Sequence, residues 1–316
     1  MLSEDLPPGV SVVVPVFRGA ATIDELVRRT AATIRPLGLA YEIVLVNDGS
    51  PDESWAHIVA LAEAEPSVLG IDLLRNFGQH NALLAGVRSA RYAVVVTIDD
   101  DLQHPPEEIP RLLAALTDDV DVVYGTAARS RQRLFRRVAS LITRLALQRM
   151  MGVDAARHVS AFRAFRTRVR VAFEEFSLPE FSLDVLLSWG TQRFTAITVE
   201  HRSREHGTSN YTTRALLRHS INMVIGFTAA PLRAASLLGF AAFGLGIGLL
   251  AYVLANFVIH GTSVPGFAFI GASVALFAGV QLFVLGVIGE YLAKMFQRSM
   301  GKPPYAVRAT TDSKPL

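Results

Sequence analysis

From residue 10 onward the chain alternates short apolar runs with segments of helical period. The run "VSVVVPV" (10–16) is apolar at nearly every position, the pattern of a strand covered on both faces. Thr22 and Glu25 are spaced as a capping box, which predicts a helix to about residue 36. "YEIVLVND" (41–48) predicts the next strand, and Ser50, Pro51 and Glu53 occupy the N-cap, N1 and N3 positions of a following helix. "VLGIDLL" (68–74), a helix over 79–90 and "YAVVVTID" (92–99) repeat the unit, and "VDVVY" (120–124) adds a strand. This alternation predicts an α/β domain with a mostly parallel sheet, helices on both faces and right-handed crossovers. Ligands of such sheets bind beyond the carboxyl ends of the strands. That places "PVFRG", "NDGSPDES" and "DDDLQHPP" around one crevice.

Nearer the C-terminal end the pattern changes. Residues 234–259 and 267–289 carry no charge, are each long enough to span a bilayer, and are separated by "HGTSVPG". The bulk numbers agree: of 316 residues, 51% are hydrophobic, and the mean hydropathy is +0.34. Arg214, Arg218 and Arg233 precede the runs, and Lys294, Arg298, Lys302 and Arg308 follow them. The positive-inside rule then puts both ends in the cytoplasm. Glycines at 239, 244, 246 and 248 suit close helix packing. The expected organisation is a cytoplasmic domain (1–213), a juxtamembrane segment (214–233), a transmembrane hairpin (234–289) and a cytoplasmic tail (290–316). The protein is thus expected to be multi-pass in the cell membrane, and its last dozen residues read as disordered. "MLSEDLPPG" has neither the basic start nor the apolar core of a secretory signal.

Composition removes several chemistries. There is no cysteine, so disulfides, thiolate catalysis and Cys-ligated metal are excluded. No GxGxxG or P-loop occurs. A formal charge of +3 is too small to argue for nucleic acid, and no nucleic-acid partner is expected.

"TIDDDLQHPPEE" (97–108) gathers three carboxylates where a strand ends. A solvated turn into a helix starting at Pro105 and Pro106 accounts for the prolines and glutamates. It leaves three adjacent aspartates unexplained, since crowded carboxylates repel unless a cation or a hydrogen-bond network compensates them. In an extended segment Asp99, Asp101 and Gln103 share a face. Two carboxylates and an amide oxygen suit Mg²⁺ or Mn²⁺, with coordination positions left for a diphosphate. Asp48 is placed either to accept hydrogen bonds from a base or ribose, or to cap the turn before Pro51.

"VVPVF", "VNDGSPDES", "RNFGQHNALLAG" and "DDDLQHPPE", followed by "REHGTSNY", "PLRAASLLG" and "GEYLAKMF", resemble in order the membrane-associated family 2 glycosyltransferases of GT-A fold. The similarity is greatest to the polyprenyl-phosphate sugar transferases, which include dolichyl-phosphate mannose synthases and undecaprenyl-phosphate aminoarabinose transferases. The resemblance implies metal ligation by Asp99, Asp101 and Gln103, with Asp99 and Asp101 the catalytic pair. It also implies nucleotide-sugar contacts at Pro15, Phe17, Asp48, Asp100, Arg202 and Arg204. The first loop departs from the family pattern, in which Asn-Glu often follows the aromatic: Arg18 and Gly19 stand here, and the acidic contact is missing. In the arginine-rich stretch 129–149, Arg136 and Ser140 resemble the family's phosphate-binding pair, while a basic face against anionic lipid is the simpler account. The implied reaction is transfer from a nucleotide-diphosphate sugar to a polyprenyl phosphate, with inversion, for cell-envelope glycan modification. A homo-oligomer is compatible with it. Competing readings are a transferase using another lipid acceptor, a processive polysaccharide synthase and a silent membrane scaffold. The synthase lacks support because Trp55 and Trp189 do not sit in a QxxRW context.

Overall fold

In a computed structural model of the chain the described residues are 6–127, 159–178, 181–201, 230–260 and 266–312. Strands β1 (Val10–Val16), β2 (Tyr41–Asn47), β3 (Val68–Leu73), β4 (Val94–Thr97), β5 (Val122–Ala127), β6 (Arg163–Arg166), β7 (Phe194–Val199) and β8 (Val307–Thr310) form one sheet. Their order is β7-β5-β6-β4-β1-β2-β3-β8. β1 is parallel to β2 and β4, β2 to β3, and β5 to β7. β6 runs antiparallel between β4 and β5, and β8 runs antiparallel to β3. Helices α1 (Ile23–Ile34), α2 (Ser54–Ala64), α3 (Gln79–Ser89), α4 (Ile109–Ala114) and α5 (Leu183–Gly190) connect the strands.

Every residue of β1 is buried, as its unbroken apolar pattern requires. Val12, Val14 and Val16 join a core cluster with Ile23 and Leu26 of α1 and Leu112 of α4. Val13 faces the other way, where Gly86 brings α3 so near that an added Cβ would lie 3.1 Å from Val46. Covering both faces removes each of these valines from water, worth about 1.5–3 kcal/mol apiece. The result is a central strand packed on both faces up to its carboxyl end at Val16.

The polypeptide divides into two units, Met1–Ser220 with Lys302–Leu316, and Ile221–Gly301. The second contains α6 (Ala230–His260) and α7 (Phe267–Ser299). Leu232–Ile259 and Leu276–Ala293, of mean hydropathy 2.2 and 1.8, are long and apolar enough to cross a membrane. Within this unit Leu237, Phe240, Phe243 and Leu282 lie exposed. Of the four glycines expected to promote helix packing, Gly246 meets the facing helix: its added Cβ would lie 3.2 Å from Phe277. Gly239, Gly244 and Gly248 have nothing within 4 Å of theirs.

Several local expectations need correction. The helix expected from Ser50 and Pro51 begins at Ser54, because Asp52, not Ser50, supplies the oxygen for the Ser54 N–H (3.3 Å) and hydroxyl (2.6 Å). Thr22 and Glu25 occupy their helical positions but do not form the capping box; Thr22 donates to the Gly19 carbonyl, and Glu25 accepts from Arg28. β4 stops at Thr97, two residues early, because carrying three carboxylates between β1 and a further strand would bury some of them without compensation. Pro106–Glu108 form a single 3-10 turn ahead of α4. Residues expected to form a disordered tail instead make β8, since Val307 and Thr310 suit a strand and the open edge of β3 offers unpaired N–H and C=O groups.

Candidate active site

Because β1, β2 and β4 are parallel and adjacent, the loops that follow them leave the same edge of the sheet. The "RNFG" loop after β3 joins them. Each loop is fixed by its neighbours as well as by its own turn chemistry.

Asp48 follows β2, and its N–H donates to the Val16 carbonyl at 2.9 Å. Its carboxylate accepts from the Phe77 N–H at 2.7 Å and the Gly78 N–H at 2.9 Å. Burial raises the pKa of this carboxyl above its usual range, opposed by those two N–H groups and by Arg75. Asp48 therefore braces the "RNFG" loop. The turn before Pro51 is capped by its neighbour Asn47, whose Oδ1 accepts from the Ser50 N–H at 3.3 Å. Gly49 makes the close approach possible. Its φ is +61°, and an added Cβ would lie 2.5 Å from the Asn76 nitrogen.

The aspartates point to different partners, and the backbone there turns instead of extending. Asp99 accepts from Gln79 Nε2 at 2.7 Å, Gln79 being the first residue of α3. Asp100 accepts from the Phe17 N–H at 3.2 Å. Asp101 accepts from the Gln103 N–H at 3.2 Å. Leu102 is left-handed (φ 58°) and places its side chain in the core, so the loop is anchored between the carboxylates and the prolines. The expectation that Asp99, Asp101 and Gln103 share one face assumed extended backbone, and the observed turn does not keep that alternation.

Burial pushes Asp100 up to about 7, helped by the charges of Asp99 and Asp101. Such crowding is what a divalent cation relieves. Among the described residues no three His, Cys, Asp or Glu side chains can hold a metal by themselves. Two carboxylates plus the Gln103 amide, completed by substrate oxygens, do fit Mg²⁺ or Mn²⁺.

The first loop carries Phe17, 41% exposed, and Arg18, left-handed at φ 58° with its guanidinium 5.6 Å from the Phe17 ring. Pro15 is buried within β1, opposite Val46. Gly19, where the family often carries an acid, leaves no room for one. An added Cβ would lie 2.6 Å from Asp100 Oδ2. Just after the aspartate turn, His104 stacks on Phe162 (5.3 Å between centroids) and meets His201 edge-on (4.9 Å). Burial, then the neighbouring His201, lowers its pKa to about 4. Arg136, Ser140, Arg202 and Arg204 lie outside the described residues.

Gln79, Asn47 and Ser50 were quoted within motifs, yet sequence reasoning gave none of them its role here. The Ser50 hydroxyl accepts from the Arg18 N–H at 3.1 Å, tying the first loop to the second. The available signal for Gln79 was its place right after Gly78, at the first position of the helix expected over 79–90.

The chain matches the model of glycosyl transferase family 2 over residues 11–174. It is 37% identical over 310 residues to an undecaprenyl-phosphate 4-deoxy-4-formamido-L-arabinose transferase of Pseudomonas fluorescens, covering 97% of this chain and 91% of that one. A transferase of the same name from Sodalis glossinidius is 35% identical over 311 residues, covering 97% and 95%. A crystal structure of glucosyl-3-phosphoglycerate synthase from Mycobacterium tuberculosis, in complex with Mn²⁺, UDP and glucosyl-3-phosphoglycerate, has a similar fold. Its TM-score is 0.50 at 20% identity, over 69% of this chain and 78% of that one. The chain belongs to glycosyl transferase family 2 and is a glycosyltransferase of GT-A fold.

Proposed function

We propose that this enzyme transfers a sugar from a nucleotide-diphosphate sugar to a polyprenyl phosphate at the cytoplasmic face of the cell membrane. One observation carries the acceptor: relatives named for undecaprenyl phosphate align with 97% of this chain, hairpin included.

In this reading Asp99, Asp101 and Gln103 hold Mg²⁺ or Mn²⁺, which when bound stabilises negative charge on the departing nucleoside diphosphate. Asp48 and Asp100 act by holding the loops that receive the nucleotide; Phe17 forms the adjoining wall, and Pro15, buried in β1, anchors the strand that carries it. Asp48 and Asp100 thereby serve the nucleotide through the loops they hold, and Arg202 and Arg204 supply further contacts to the nucleotide sugar. The acceptor phosphate, held by Arg136 and Ser140, attacks the anomeric carbon. The bond to the diphosphate breaks, its electron pair leaves with the nucleotide, and direct attack inverts the centre. A phosphate already ionised at neutral pH needs no proton removed, so no general base is required of the chain.

Chain connectivity supports the membrane arrangement. The polypeptide enters α6 from the sheet unit and is back in that sheet at β8, so two crossings fit and one does not.

The test is a transfer assay in detergent with a panel of nucleotide sugars, undecaprenyl phosphate and Mn²⁺ or Mg²⁺. A polyprenyl-phosphate-linked sugar is the expected product, and chelation should abolish it. Arg136→Ala should raise the KM for the lipid phosphate roughly tenfold to hundredfold at unchanged nucleotide affinity. Transfer to a different acceptor, with polyprenyl phosphate inert, would overturn the proposal.

A further inference from the structure

The strand that follows the apolar hairpin does more than close an edge. β8 pairs with β3 through Ile71 and Thr310, Asp72 and Ala309, and Leu73 and Val307, with a register irregularity between Asp72 and Leu73. The Leu74 N–H donates to the Ala306 carbonyl, the Thr311 N–H to the Gly70 carbonyl, and the Gly70 N–H to the Thr311 hydroxyl, at 2.9, 3.0 and 2.8 Å. Arg308 reaches across the edge, donating to the Leu74 carbonyl at 2.7 Å and pairing with Asp72 at 3.3 Å.

Asp72 is 1% exposed, and Arg308 is its cationic partner among the described residues. Burying a carboxylate this deep is costly unless it is paired and hydrogen-bonded. Its other oxygen accepts from Asn47 Nδ2 at 2.7 Å. Asn47 in turn caps the Ser50 N–H, and the Ser50 hydroxyl accepts from the Arg18 N–H. The series Arg308, Asp72, Asn47, Ser50, Arg18 runs without a gap from the post-hairpin strand to the first loop of the crevice. β8 also grips Leu74, one residue before the loop whose Phe77 and Gly78 N–H groups hold Asp48. Two separate routes therefore lead from β8 to the loops that flank Asp48.

We infer that β8 is a positioning element of the donor-nucleotide site and that Arg308 is its key residue. Arg308 acts through Asp72, holding that carboxylate in the orientation from which it accepts from Asn47, so that Asn47 keeps the second loop in its receptive form. Donor binding is thereby coupled to docking of the segment that returns from the hairpin. This rests on the donor-site reading given above.

The experiment measures nucleoside-diphosphate binding without acceptor, using ADP, CDP, GDP and UDP with Mn²⁺ on the full-length detergent-solubilised protein. Donor and acceptor KM are read alongside. Arg308→Ala should weaken binding of the preferred diphosphate and raise donor KM by about tenfold, leaving acceptor KM unchanged. Arg308→Lys should recover much of the loss. Asp72→Asn combined with Arg308→Ala should also recover it, because an amide can still accept from Asn47 and no longer needs a cation. A purely structural role would lower melting temperature and active fraction while leaving the diphosphate Kd of folded protein unchanged. That result overturns the inference, as does a double variant no better than Arg308→Ala. If the wild type binds none of the diphosphates, the donor-site reading itself falls, and this inference with it. If it binds one and Arg308→Ala binds it equally, the inference falls alone.

Discussion

At the scale of single residues, the three adjacent aspartates show how identical side chains take different work from their surroundings. Asp100 is turned into the protein against Phe17 and Gly19, whereas Asp99 and Asp101 belong to the outward turn with Gln79 and Gln103. Asp101→Asn should abolish transfer and weaken metal-dependent diphosphate binding while preserving the fold. Removing one of several crowded carboxylates relieves repulsion, so the metal-free protein should melt no lower than wild type. Asp100→Asn keeps an oxygen for the Phe17 N–H, so its effect should be shallower and fall on nucleotide affinity. Isothermal titration of diphosphate with and without Mn²⁺, next to thermal melts, reads both. Equal, mild effects at 99, 100 and 101 would remove the metal site. The sequence made the cluster legible because three charges at a strand end have no packing use. The Asp48 bridge to Phe77 and Gly78 was not legible, since it joins residues about thirty apart through backbone donors that carry no side-chain signature.

At the scale of elements, legibility followed burial. β1, β2 and β3 are covered on both faces, and their apolar runs announced them. β6 did not announce itself, because "RAFR" begins and ends with arginine. Its Arg163 is nevertheless 2% exposed, paired with Asp184 of α5 and donating to the Thr97 hydroxyl at 3.0 Å. A buried ion pair reads as surface until its partner, 21 residues away, is known to face it. Asp121, just before β5, is another hidden joint. It accepts from Thr191 (2.7 Å) and from Arg193 and Arg168 (2.9 Å each), gathering the approaches to β5 and β7 and the end of β6. Its hydrogen bonds to Arg193 first, then Thr191 and Arg168, hold its carboxyl well below the usual carboxylate range despite partial burial. With the folded pKa depressed, its stabilisation is fully present above the ordinary value of about 4 and disappears as pH falls through the lower folded value. Asp121→Asn should therefore lower the melting temperature at pH 7. The gap from wild type should narrow only below about pH 4, which melts recorded from pH 7 downward would reveal. A constant gap across that range would assign Asp121 a role independent of its charge.

At the scale of the whole molecule, the apolar runs and the sheet constrain each other. Composition alone made the hairpin legible, as some twenty uncharged apolar residues have few uses outside lipid. It did not show that the chain rejoins the sheet, because a four-residue edge strand carries too short a pattern to distinguish from a polar tail. Once β8 is part of the sheet, Ser299 and the β3 edge must share a side of the membrane if α6 and α7 both cross it. The absence of native cysteine makes this directly measurable. Thr262→Cys and Ser299→Cys, introduced singly, should react with a membrane-impermeant maleimide from opposite sides of sealed vesicles. Reversing vesicle orientation should exchange the two. On the proposed function, Ser299→Cys should also label from the side on which nucleotide sugar is consumed, because the strand a few residues beyond it is built into the sheet that carries the candidate site. Both positions labelling from one side would mean that the apolar helices lie in or along the membrane without crossing it, and the lipid phosphate would then reach the crevice by another route.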